Sequence, residues 1–122
     1  MTKTSELTNA ALDWAVATCE GYKPRIEFHP TTTPRVVGIC IITRVGGLTP
    51  YSPSTDWSQG GPIIEREKIE LVPSIGGTVW YADRIGPPTC RMERCPTPLI
   101  AAMRCYVASK LGNEVEVPEE LL

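Results

Sequence analysis

The chain opens with apolar positions spaced close to the helical period. Leu7, Ala11, Trp14 and Ala17 recur at steps of three and four, and Leu12, Ala15 and Val16 widen the same face. This spacing predicts an amphipathic helix over residues 5–20, with Thr4 or Ser5 as its cap, Glu6 at the positive end of the dipole and Gly21 as its stop. The period then changes. "VVGICIIT", residues 36–43, is a near-continuous β-branched run, the pattern of a strand covered on both faces. "IELV", 69–72, and "TVWYAD", 78–83, read as two more strands joined by a turn at 74–77. The helical period returns after Thr97, which caps, and Pro98, which suits a first helical position. Leu99, Ile100, Met103, Tyr106, Val107 and Leu111 form the inward stripe, Arg104 and Lys110 lie at its water boundary, and Gly112 ends the helix.

Between these elements the pattern breaks. Residues 22–35 mix proline with hydroxyls and read as loop, with a short strand at Arg25 to Phe28. Gly46-Gly47 ends the long strand. In "PIIEREK", 62–68, proline in a first turn allows one or two turns of helix, interrupted or restarted at Gly60-Gly61-Pro62. "GPPTCRMERCP", 86–96, reads as loop, and the acidic tail "NEVEVPEELL" as surface. The order predicts an α+β fold: a small, mostly antiparallel sheet packed against an N-terminal and a C-terminal helix, in a single domain over residues 1–122.

Composition narrows the function classes. The net charge of −2 supplies no global basic field, so a nucleic-acid polymer is not an expected partner. The first residues carry no secretory h-region and no apolar run spans a bilayer, so a cytosolic protein without a membrane partner is expected. Its five cysteines are then reduced. Twelve prolines are about twice the usual share, and all but one fall between residues 24 and 98, which concentrates loop in the middle.

Catalytic patterns are poor. The one histidine, His29, sits between Phe28 and Pro30 with no nucleophile motif around it. Neither Gly46-Gly47 nor Gly60-Gly61 belongs to a phosphate loop. Cys90 and Cys95 frame "CRMERC" without a second matched pair, so no metal is expected; Cys19, Cys40 and Cys105 read as small buried hydrophobes. Glutamates interleave with Lys or Arg, or lie in the tail, as solvated faces do. The chain reads as a non-enzyme without a cofactor; a metal-free phosphodiesterase is the weakest of the readings left open.

The stretch "YSPSTDWSQGGPI", 51–63, carries the candidate site. Ser54, Thr55 and Asp56 offer short polar groups on a backbone bent by Pro50 and Pro53. Tyr51 and Trp57 bring aromatic faces, on which a stacked base gains about 1–3 kcal/mol. Arg84 or Arg44 is placed to meet a phosphate, with Arg66 a further cation near the end of an element. The same residues also describe a capped turn, with Asp56 capping and Trp57 plugging the core.

"TSELTNAALDWAVATCEG", "YSPSTDWSQGGPIIERE" and "TPLIAAMRCYVASKLGNEVEVPEEL" resemble, in wording and order, the NinX-type family of small proteins of tailed phages and prophages; the blocks cover about half of the chain. The resemblance implies a phage accessory protein in the bacterial host cytoplasm and brings no mechanism with it. Set beside the central loop, it leads to two expectations. One is a non-catalytic protein that binds a small anionic nucleotide and sequesters a bacterial immune signal. The alternative is an interaction module for a host or phage protein. A homo-oligomer, completing its pocket across a symmetric interface, is expected in either case.

Overall fold

The structure is a computed structural model describing residues 1–28, 36–43, 46–87 and 89–122. His29 and Arg44 fall outside the described residues. The first strand, β1 (Thr2–Lys3), runs into a single 3-10 turn at Thr4–Glu6, and helix α1 follows at Asn9–Cys19. The predicted N-terminal helix therefore starts later than its apolar spacing implied. The carbonyl of Leu7 accepts a 2.8 Å hydrogen bond from Arg104 Nε instead of continuing a helical ladder, and Leu7 is extended at φ −68°, ψ 134°. A tertiary contact overrides a local period here.

Next come β2 (Arg25–Phe28), β3 (Val36–Ile42) and β4 (Leu48–Pro50), paired antiparallel in that order. Helix α2 (Trp57–Glu67) passes through Gly60-Gly61-Pro62 without a break, where an interruption was expected. A Cβ on Gly60 would lie 2.4 Å from the Pro53 carbonyl oxygen and 2.6 Å from Leu99 Cδ1, so glycine is what lets the helix touch its neighbours. Strands β5 (Ile69–Pro73), β6 (Trp80–Arg84) and β7 (Cys90–Cys95) form a second antiparallel sheet. β7 corrects the loop reading of 86–96. Its ladder bulges opposite Tyr81, with Arg94 at φ 56°, and the bulge together with flanking prolines hides the alternation.

Helix α3 (Pro98–Leu111) starts as predicted: Thr97 Oγ1 accepts from the Ile100 N–H at 3.1 Å and Pro98 occupies the first turn. Strand β8 (Glu114–Val115) pairs with β1, so part of the tail is structured. The fold is α+β, with the strands of the described residues divided among three small sheets rather than gathered in one.

α3 is the centre. Every residue from Leu99 to Val107 is buried, so the helix is enclosed on all sides rather than along one stripe. It packs on β5, β6 and β7, on α1 and on α2, while α1 also packs on β3. Two predicted positions are corrected. Arg104 is buried, its guanidinium spent on the Leu7 carbonyl, and Leu111 at the helix end is exposed.

Candidate functional site

The residues of 51–57 are held by bonds from both flanking helices. Gln59 of α2 reaches back twice, its Oε1 accepting from the Ser52 N–H at 2.7 Å and its Nε2 donating to the Pro50 carbonyl at 3.0 Å. The Asp56 N–H donates to the Ser52 carbonyl at 2.8 Å, and the Tyr51 N–H to that of Ile39 at 3.0 Å. From α1, the Asp13 carboxylate accepts the Ser54 N–H at 2.9 Å, an entirely buried bond. With its polar groups so engaged, the loop is pre-shaped.

The sequence candidates take different places in it. Tyr51 is buried, edge-on to Tyr22 at 5.6 Å; burial, with Glu20 adding, pushes its phenol well above the usual range. Only 7% of the residue is exposed. Ser54 is buried beside Asp13, and its Oγ has no hydrogen-bond partner. Thr55 is exposed, its hydroxyl 3.4 Å from the Ser52 carbonyl. Asp56 is the cap of α2: its carboxylate accepts from the Ser58 hydroxyl at 2.6 Å and the Ser58 N–H at 2.9 Å, which holds its pKa below the ordinary value. Trp57, in the first turn, is 54% exposed, so it does not plug the core.

Arg84 is engaged elsewhere. Its Nε lies 3.5 Å from Glu67 Oε1, in a network that also joins Arg66 and Lys110 to Glu67 and Arg66 to Glu20. Burial pushes the Glu67 carboxyl up, but the Arg66 hydrogen bond and the three cations outweigh it and hold the group below the usual range. The Tyr106 hydroxyl donates to Glu20 at 2.5 Å, completing a clasp between the ends of α1 and α2 and the body of α3.

What the loop does form is one side of a cleft of about 780 Å³. Tyr51, Ser52 and Thr55 line it from the loop, Thr8 to Ala10 and Asp13 from α1, Glu27, Gly38 and Ile39 from β2 and β3, and Glu120 to Leu122 from the tail. Arg84 does not reach it. Among the described residues lining the cleft are three carboxylates, Asp13, Glu27 and Glu120, and no lysine or arginine. The start of α1 faces it without a side-chain cap, since the Thr8 hydroxyl makes no capping bond.

Asp13 is the residue that sequence reasoning missed. It is 5% exposed, and loss of hydration raises its pKa from 3.8 to about 6 against the lowering effect of Ser54 beside it. A signal existed: Asp13 falls in a row with Ala10 and Ala17, three and four residues away on an otherwise apolar face. A carboxylate there is either misplaced or used.

Among the described residues no group of three or more His, Cys, Asp or Glu side chains could hold a metal ion, and no helix is long and apolar enough to cross a membrane. Comparison with curated proteins gave no match. A family model described as "Bacteriophage P22, NinX" matches residues 3–110.

Proposed function

The chain belongs to the phage P22 NinX family, and from that premise we propose that it acts in the host cytoplasm by binding rather than by catalysis. The ligand is a small polar molecule of nucleotide type, seated between α1 and the central loop, and capture of a bacterial immune signalling nucleotide is the use we assign to it. One observation carries this reading: a pre-shaped loop, the uncapped start of α1 and a buried carboxylate converge on a single cleft. Its volume of about 780 Å³ lies in the range of ligand pockets.

The acidic lining refines the proposal. Such a cleft holds a ligand through the N–H and O–H donors of a base and sugar, while phosphates point outward or toward the free N–H groups of α1. Arg84 has no part in this grip, being packed against Glu67.

A second reading rests on the same three carboxylates: the cleft receives a basic segment of a host or phage protein. Native mass spectrometry of the protein purified from host cells, followed by calorimetry with linear and cyclic nucleotides, separates the two. A retained small molecule and a binding nucleotide support the first reading. A retained protein, with no nucleotide binding, replaces it by the second. We also propose self-association, since Ile42 and Leu48 stand opposite each other on β3 and β4 and are both exposed. A monomer mass by light scattering over a wide concentration range would remove that element.

A further inference from the structure

Resting on the cleft-binding reading above, we propose that Asp13 is the specificity determinant of the cleft, its carboxylate recognising a planar group with two adjacent N–H donors. The pairing edge of guanine and the guanidinium of arginine both present that group.

The argument starts from cost. Aspartate is almost never this buried unless it is paired. Among the described residues only Ser54 bonds the Asp13 carboxylate, its N–H donating to Oδ1 at 2.9 Å. Among the described residues no lysine or arginine forms an ion pair with it. A neutral asparagine would accept the same N–H without a buried charge, so the fold alone does not call for a carboxylate here. A ligand does.

The geometry then selects the ligand's chemistry. A carboxylate offers two oxygens with about four lone-pair directions. Ser54 fixes the orientation of the group through Oδ1, and Asp13 is among the residues that line the cleft. Two parallel N–H donors satisfy both oxygens at once, the bidentate arrangement that gives carboxylates their strongest hydrogen bonds. Guanine meets this with N1–H and its exocyclic amine. Inosine keeps only N1–H. Adenine turns the N1 lone pair toward the carboxylate, which repels it. The arginine guanidinium matches the same fork, and the lysine ammonium does not.

The test is calorimetry on the full chain near neutral pH with guanosine, inosine and adenosine, which lack phosphate charge. A second arm uses a short blocked peptide bearing one arginine and its lysine counterpart. We expect guanosine to bind at least about tenfold more tightly than adenosine, with inosine between, or the arginine peptide to exceed the lysine peptide by a similar factor. The arm that responds names the source of the group. Asp13→Asn, which retains an acceptor for Ser54, should erase that discrimination. Equal affinities across both series in the unaltered chain overturn the inference with no variant needed. So does discrimination that survives in a folded Asp13→Asn. If instead the chain purifies with a small molecule that has no such donor pair, the role of Asp13 falls while the cleft reading stands. If no probe binds and nothing is retained, the cleft reading falls as well.

Discussion

Asp13→Asn also tests the structure through stability. Burial raises the folded-state pKa of Asp13 from 3.8 to about 6. The unfolded chain therefore releases this proton first as pH rises. Below 3.8 the group is protonated in both states and costs nothing. Between 3.8 and 6 folding stability falls by about 1.4 kcal/mol per pH unit, and above 6 the loss levels off at about 3 kcal/mol. Asparagine has the same shape, keeps an acceptor for the Ser54 N–H and does not titrate. The variant should match the parent near pH 4 and exceed it by up to about 3 kcal/mol near pH 7.5, roughly 10 °C in melting temperature. Urea unfolding at both pH values measures this. The other groups facing the site, Glu27, Glu120 and the Tyr51 phenol, are common to both proteins and largely cancel in the difference. A variant less stable than the parent at pH 7.5, or a difference independent of pH, would refute the account of Asp13 as a charge held against its own hydration.

Four further outcomes follow from the structure. Gly60→Ala should destabilise by about 1–3 kcal/mol despite alanine's better helix propensity, because the rigid Pro53 carbonyl stands 2.4 Å from the new methyl. Gly61→Ala, with nothing within 4 Å, should instead stabilise by about 0.5–1 kcal/mol, and denaturant melts of the pair give the contrast. Thr97→Ala removes the α3 cap and should cost about 0.5–2 kcal/mol in the same assay. Met103→Ala opens a void in a fully enclosed position and should cost about 2–5 kcal/mol; a loss below about 0.5 kcal/mol would mean that α3 is not central.

Much of the fold was legible because its strongest elements obey local rules. The Thr97-Pro98 start of α3, the β-branched run of β3 and the cap at Asp56 announce themselves in one stretch of chain. What escaped was set at a distance. The late start of α1 depends on Arg104, 97 residues away from Leu7. β7 is masked by its bulge, and β4 by Pro50, which a strand tolerates only at an edge. The same holds for the site. Loop composition pointed to residues 51–57, but their hydrogen bonds decide which of them face a ligand, and those run to Gln59 and Asp13. Trp57 looked like a plug because tryptophans usually are; as the first residue after a cap, it is turned toward water.

The burial of α3 on every side bears on how this protein can change. From Leu99 to Val107 each position meets packed neighbours, so nearly any substitution there alters volume or buries polarity. The cleft is assembled from other material: the first two turns of α1, β2 and β3, the tail, and a loop in which Ser52 and Thr55 keep contact with solvent. Mutational tolerance is thus split between two regions of one small chain. A lineage under pressure to recognise an altered ligand can vary the rim residue by residue, at little thermodynamic risk, while the central helix holds the fold constant beneath it.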